Sequence, residues 1–328
     1  GAISLGYGMS PAPNEFLSGV MSLPHSVEVK APEDILATVA PWATHVRSVR
    51  TGSEATTAAI MLARKATGRR PVYVASNSYH AWHPWATFRG QEKTDGEHIY
   101  LYEYGTYAID RLSNDPPAAI VVEPARWQET QPFYLNELQK IASYLGALFI
   151  VDEMIYGGRW RVGGATELYG LAPDIACFGK AFGNGAPVAF IAGRDVVREH
   201  GELISGTYSG DASALRSVVD VLRFYKENDV IGRLWERGGM LRKLLIENVA
   251  AFNLREKVFV EGAGDVHLRL RFERPELGRE FSAQMATRGV LWHPEVVNFC
   301  YSHTEQQIEN VAEAAHLTLQ SMVNRDLL

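Results

Sequence analysis

The sequence predicts an α/β fold, a three-layer arrangement in which a mostly parallel sheet carries helices on both faces, joined to a small C-terminal α+β domain. Two observations lead there. Short apolar runs alternate with stretches of helical periodicity between residues 54 and 192, the pattern of strands that return through helices into a sheet covered on both sides. After Asp211 the alternation gives way to two long helical stretches and then to short strands mixed with helices.

In chain order, Gly1 to Pro32 is rich in Gly, Pro and Ser and reads as an extended arm. Apolar positions from Glu54 to Thr67 recur at helical spacing, while Pro71 to Ala75 and Ala118 to Glu123 read as strands. A helix over Tyr134 to Leu145 leads into the apolar strand Ala147 to Asp152. The runs Asp174 to Phe178 and Pro187 to Ala192 are separated by the Gly-rich Gly179 to Gly185, which fits neighbouring strands with a tight connection. Helices are then expected at 212–227 and 230–249, strands at 257–261 and 266–272, a helix at 275–288, a strand at 296–301 and a closing helix from Thr304. These readings divide the chain into an arm at 1–32, a large domain at 33–230 and a small domain at 231–328.

Composition narrows the partners. With 46% hydrophobic residues in 328, the chain can bury a substantial core. Its 38 acidic against 32 basic residues create no broad positive field, so nucleic acid is not an expected partner. The two cysteines, Cys177 and Cys300, sit in apolar runs, which suits buried thiols in a reducing compartment and points to the cytoplasm. Apolar stretches such as Ala147 to Val151 are too short to cross a bilayer, and no charged-then-apolar signal opens the chain, so no membrane association is expected. No metal is expected either.

In a parallel α/β sheet, ligands gather beyond the carboxyl ends of the strands. Asp152 stands there, after Leu148-Phe149-Ile150-Val151. A carboxylate in a place poor in water needs a cation or strong hydrogen bonds, and a protonated pyridine nitrogen would supply the first. The plainer reading has it capping the next segment or pairing with Arg159. Lys180 lies in Phe178-Gly179-Lys180-Ala181-Phe182-Gly183. Flanking phenylalanines would desolvate its amine and favour the uncharged form that makes a Schiff base, against the alternative of a surface lysine in a turn. Thr51-Gly52-Ser53-Glu54-Ala55 opens a helix, where unpaired N–H groups and the Ser53 hydroxyl could cradle a phosphate or simply form an N-cap. Tyr79-His80 offers a ring that stacks on a flat cofactor or packs in the core, and Gly206-Thr207-Tyr208-Ser209-Gly210 offers hydroxyls on a flexible backbone.

Taken in this order, the segments resemble the class III aminotransferases of the fold type I pyridoxal-phosphate enzymes, with glutamate-1-semialdehyde 2,1-aminomutase-like proteins nearest in pattern. Val122-Glu123-Pro124, Val151-Asp152-Glu153 and Phe178-Gly179-Lys180 match later signatures of that family. The likeness reaches Glu261-Gly262-Ala263-Gly264 and the stretch from Phe299 to Glu305 near the far end. It implies pyridoxal 5′-phosphate as cofactor and Lys180 and Asp152 as catalytic residues. The cofactor site it implies takes Gly52, Ser53, Tyr79, His80, Glu123, Asp152, Ile155, Lys180 and Thr207. Thr207 would reach the phosphate of a neighbouring subunit, so the resemblance also implies a homodimer with shared active sites.

The sequence departs from the family pattern in places. Met154-Ile155 follows Asp152-Glu153 where Val-Gln is usual, and Gln128 is the expected substitute for the missing glutamine. Ala81 follows Tyr79-His80 where glycine is usual. Relatives carry a further segment before the position of Gly1 that helps close the substrate site. For the small-molecule substrate, Arg126, Trp127, Gln128 and Arg159 are the candidate contacts, with Arg161 a further arginine for a carboxylate. The expected activity is amino transfer between an amine or amino acid and a carbonyl acceptor by a ping-pong route through a Lys180 Schiff base. The alternatives are the internal amino exchange of glutamate-1-semialdehyde and a non-catalytic cofactor-binding relative.

Overall fold

The computed structural model describes residues 26–76, 78–87, 93–94, 99–103, 105, 115–125 and 132–328. Two compact units emerge, the larger ending at Asn228 and the smaller covering Asp229–Leu328.

The larger unit runs through α1 (Ser26–Thr38), β1 (His45–Val49), α2 (Gly52–Thr67), β2 (Val72–Ala75), β3 (Lys93–Thr94), β4 (Ile99–Tyr102) and β5 (Ala119–Val122). It continues with α3 (Pro132–Leu145), β6 (Leu148–Asp152), α4 (Gly164–Leu168), β7 (Ile175–Phe178), β8 (Ala189–Gly193), α5 (Asp195–His200) and α6 (Ala212–Glu227). Its eight strands form one sheet in the order β1-β8-β7-β6-β5-β2-β4-β3. The central strands β7, β6, β5, β2 and β4 pair in parallel, and antiparallel pairs occur only toward the edges.

Side-chain alternation along these strands feeds two separate apolar layers. Phe149 and Val151 of β6 point to one face, with Val122, Phe178 and Phe190, and pack under α1, α3 and α6. Ile150 points to the other, with Val121, Cys177 and Ile191, under α2 and α5. Successive strand residues face opposite sides, so a run that is apolar throughout is what a sheet covered on both faces requires. The α/β three-layer expectation holds, and β7 and β8 are indeed neighbours, paired antiparallel.

Differences from the sequence reading have local causes. The arm expected to extend through Pro32 becomes helical from Ser26, because Val27, Ala31 and Ile35 recur every fourth residue and are buried. Their burial offsets the backbone hydrogen bond that a proline inside a helix forgoes. The strand β1 went unread because His45-Val46-Arg47-Ser48-Val49 is polar and mostly half-buried. Residues 1–25 of the expected arm lie outside the described residues.

The smaller unit contains α7 (Val230–Ala251), β9 (Val258–Gly262), β10 (His267–Phe272), α8 (Glu276–Thr287), β11 (Val297–Asn298) and α9 (Glu305–Asn324). Its three strands are antiparallel in the order β11-β10-β9. Leu234, Leu241 and Leu245 line the buried face of α7, and Gly238 admits the Asp265 carbonyl so closely that a Cβ would lie 1.9 Å from its oxygen. Thr304 caps α9 in a reciprocal pair with Gln307. The strand expected over 296–301 shrinks to the two residues of β11.

Candidate active site

The parallel strands deliver their ends to one edge of the sheet. The last residue of β6 is Asp152, 3% exposed. Its Oδ1 accepts from the Met154 backbone N–H at 3.1 Å, and its Oδ2 lies 2.7 Å from Nδ1 of His80. The loop after β2 brings His80 there. Its first turn is closed by Ser78, whose backbone N–H and hydroxyl both reach the Ala75 carbonyl, and Glu123 beyond β5 accepts from the Tyr79 N–H at 3.0 Å. Trp85 stacks on the imidazole with ring centroids 5.7 Å apart and is itself tethered, indole N–H to Thr57 hydroxyl, at 2.8 Å. His80 is 1% exposed, and its Nε2 has no hydrogen-bond partner among the described residues.

Ala81, next in the chain, has φ of +79°. Only glycine takes up such a conformation without a steric cost, so the glycine usual at this place has a backbone reason. Ala81→Gly is expected to raise the stability of the folded chain by about 0.5–1 kcal/mol, or leave it level where unfolded-state entropy offsets the gain. A denaturant titration of the two proteins checks this.

Beyond β7, Gly179 is extended, and a Cβ there would meet the Met154 sulfur at 2.9 Å. Lys180 follows with φ of +44° and opens a single turn of 3₁₀ helix through Phe182. The expected flanking by phenylalanines is corrected here. Phe178 and Phe182 pack against each other and against Phe190 within the core, whereas Lys180 is exposed and lines the cavity. The strand ends at Phe178, and the extended Gly179 followed by the positive φ of Lys180 breaks the alternation there, so the rings stay in the core while the exposed amine is turned away from them.

The third wall is the start of α2. Thr51 is its N-cap, accepting from Glu54 N–H, while Glu54 Oε2 accepts from the backbone N–H groups of Thr51 and Arg50 at 2.9 and 2.7 Å. That capping box leaves the N–H groups of Gly52 and Ser53 and the Ser53 hydroxyl with no protein partner among the described residues.

These walls enclose a cavity of about 300 Å³. Of the expected site residues, Gly52, Ser53, Tyr79, His80, Asp152 and Lys180 line it together. Glu123 does not line it and acts behind it, on the Tyr79 backbone. Ile155 does not line the cavity and Met154 does: β6 ends at Asp152, and in the turn that follows it is Met154, held by its N–H to Asp152 Oδ1, that borders the cavity. Thr207 is exposed and outside the cavity of its own chain. Arg159 is fully buried and does not line the cavity, and the carboxylates of Asp152 and Glu153 are engaged by other groups. Arg161 is exposed away from it. Arg126, Trp127 and Gln128 lie outside the described residues. Sequence reasoning missed Arg50, Thr56 and Met154, all of which line the cavity. Arg50 could have been found, since it immediately precedes the Thr51-Gly52-Ser53 turn.

Glu153 turns the other way, 1% exposed. Burial pushes its carboxyl up to about 7, against the hydrogen bonds from Thr166 and from the Ala165 backbone, which favour the ionised form. Thr166 contributes both its N–H, at 2.6 Å, and its hydroxyl, at 2.7 Å. The carboxyl thus ties the end of β6 to the first turn of α4.

Three kinds of polar group converge on the cavity: an amine, a buried carboxylate that accepts, and the uncommitted N–H and hydroxyl donors at the start of α2. This set matches an aldehyde, a ring nitrogen and a phosphate on one flat molecule. Comparison with known proteins agrees. The family described as Aminotransferase class-III matches residues 89–316. The 3-aminobutyryl-CoA aminotransferase of Cloacimonas acidaminovorans is 28% identical over 83% of the chain and 70% of its own length. The glutamate-1-semialdehyde 2,1-aminomutase of Archaeoglobus fulgidus is 28% identical over 84% of the chain and 74% of its own. Among solved structures, the internal aldimine form of the FumI protein of Sphingopyxis sp. MTA144 superposes with a TM-score of 0.83 at 23% identity, covering 94% of this chain and 77% of that one. A β-phenylalanine aminotransferase from Variovorax paradoxus gives 0.83 at 20% identity, over 93% and 77% of the two chains.

Proposed function

The chain belongs to the class III aminotransferase family and takes pyridoxal phosphate as its cofactor, and from that premise we propose that it moves an amino group between an amine or amino acid and a carbonyl acceptor by a ping-pong route. The observation that carries this reading is the convergence of Lys180, Asp152 and the open start of α2 on one cavity. When bound, the cofactor supplies an electron sink for the substrate carbanion and a carrier for the amino group.

The protein's part is to hold and to move protons. The N–H groups of Gly52 and Ser53, with the Ser53 hydroxyl, bind the phosphate at the positive end of the α2 dipole. Asp152 sets a negative charge at the ring nitrogen and keeps a proton there, and its own orientation is fixed by the Met154 N–H and by His80. Tyr79 and Met154 contribute apolar wall. Lys180 Nζ would hold the cofactor through its aldehyde, and as a free amine lining the cavity it would be the group that takes a proton from the substrate carbon and returns it. Thr207 is assigned to the cofactor phosphate of a second copy, making the working form a homodimer with shared sites. No described helix is long and apolar enough to cross a membrane. We assign the cytoplasm as the compartment from the free thiols of Cys177 and Cys300.

The test is the visible absorbance of the purified protein with pyridoxal phosphate, followed while α-, β- and ω-amino donors are added, with Lys180→Ala as control. A band present only with Lys180 and bleached by a particular donor supports transamination and names half of the substrate pair. Turnover of glutamate-1-semialdehyde with no second substrate would favour the aminomutase reading, which the 28% identity to the Archaeoglobus fulgidus protein keeps in play. A Lys180-dependent band that nothing bleaches would leave a binding protein without turnover.

A further inference from the structure

A phosphate ester carries between about one and a half and two negative charges at neutral pH. The start of a helix offers the equivalent of about half a positive charge, and hydroxyl and amide donors add none. At the cavity, Gly52 and Ser53 provide donors only, so a phosphate held by them alone is left largely uncompensated. Apart from His80, Arg50 and Lys180 are the cationic side chains among the described residues that line the cavity, and Lys180 is committed to the carbonyl end of the cofactor.

Arg50 is placed for the other end. It directly precedes the N-cap Thr51, and its own backbone N–H is pinned by Glu54 Oε2 at 2.7 Å, so its Cα is fixed relative to the start of α2. Its guanidinium is only partly engaged. Nη1 lies 3.2 Å from Asp211 Oδ2 and 3.5 Å from the Tyr208 carbonyl oxygen, and Cζ lies 5.8 Å from the Tyr208 ring centroid. Nε and Nη2 have no protein partner among the described residues. Asp211 does not depend on Arg50 for its place, because it caps α6 and accepts from the Ala214 N–H at 2.9 Å and the Ser213 hydroxyl at 2.5 Å. An arginine fork with two of its three nitrogens uncommitted is suited to the oxygens of a phosphate.

We propose that Arg50 is a phosphate-binding residue of the cofactor site, turning its unengaged guanidinium nitrogens to the 5′-phosphate while Nη1 remains within reach of Asp211. The proposal rests on the reading of the cavity as the pyridoxal-phosphate site. It also ties the cofactor to the segment Gly206–Asp211, which carries Thr207, so occupancy of one site would bear on the loop offered to the second copy.

The test compares pyridoxal phosphate with pyridoxal, which keeps the ring and aldehyde and lacks the phosphate. Cofactor-free wild type, Arg50→Ala and Arg50→Lys are titrated with each ligand, with binding read by the absorbance of the bound chromophore. Arg50→Ala is expected to weaken pyridoxal phosphate by about 10- to 100-fold, the range for a charge-assisted hydrogen bond, and to move pyridoxal less than about twofold, with Arg50→Lys between. Equal weakening of both ligands would overturn the proposal by assigning Arg50 to cavity shape. No change in either would overturn it outright. Failure of the wild type to bind either ligand would instead bring down the cavity assignment beneath it, a result distinct from the other two.

Discussion

Asp152→Asn is expected to lower turnover by about 10²- to 10⁴-fold, the span commonly lost when a group that governs a proton in the transition state is disabled. Asparagine has the same shape, and its carbonyl oxygen can keep the 3.1 Å contact with the Met154 N–H. What it lacks is the charge. The amide cannot hold a proton on a neighbouring ring nitrogen, and in a place 3% exposed no water replaces the missing anion. Its NH₂ would also face His80 Nδ1, now at 2.7 Å from a carboxylate oxygen, and that contact survives only if the imidazole changes tautomer. The measurement is single-turnover kinetics on the cofactor-loaded protein, together with a denaturant titration. A loss of turnover with stability changed by less than about 1 kcal/mol locates the effect in the chemistry. Turnover within tenfold of wild type would remove Asp152 from the role of ring-nitrogen partner. His80→Asn provides a graded companion: it shortens the side chain that orients Asp152 without touching the carboxylate, so a smaller loss in the same direction is expected.

Much of the fold was legible because the strands are buried on both faces. Runs such as Leu148-Phe149-Ile150-Val151 and Ile175-Ala176-Cys177-Phe178 are apolar throughout, and a strand of that kind belongs in the middle of a covered sheet. The edges were not legible for the converse reason. His45-Arg47-Ser48 of β1 carries no apolar run, and α1 contains a proline that local rules count against a helix. Site residues followed the same division. Asp152 and Lys180 could be found because each ends a buried strand, and Gly52 and Ser53 because they begin a helix. Met154 could not be weighed from type alone, since a methionine is ordinarily core filling, and for Arg50, ordinarily a surface type, the one signal was its place directly before Thr51-Gly52-Ser53. Only the geometry at the ends of β6 and the start of α2 shows which way they turn. Lys180 illustrates the opposite error, in which two sequence neighbours were taken as spatial ones.

Gly164→Ala is expected to destabilise the larger unit by about 3–5 kcal/mol, through two effects that meet at one atom. Gly164 has φ of +71°, where a Cβ costs about 1–2 kcal/mol. That Cβ would lie 2.1 Å from Glu153 Oε2, so the carboxyl must move and give up contacts with Ala165 and Thr166, each worth about 1–3 kcal/mol to a buried group. The same carboxyl gives the fold a pH dependence of known sign. Burial raises it from 4.5 to about 7, so the folded chain binds this proton more tightly than the unfolded one. Its contribution is therefore complete below about pH 4.5 and is lost as the pH rises through about 7, amounting to on the order of 3 kcal/mol across that window. Glu153→Gln mimics the protonated form and has nothing to ionise. The mutant should gain on the wild type from about pH 4.5 to about pH 7 and level off above that, measured as the difference of their unfolding free energies without cofactor. A difference that stays flat with pH would mean that Glu153 is already ionised in the fold at pH 5. In that case the three donors around it, and not its burial, would dominate.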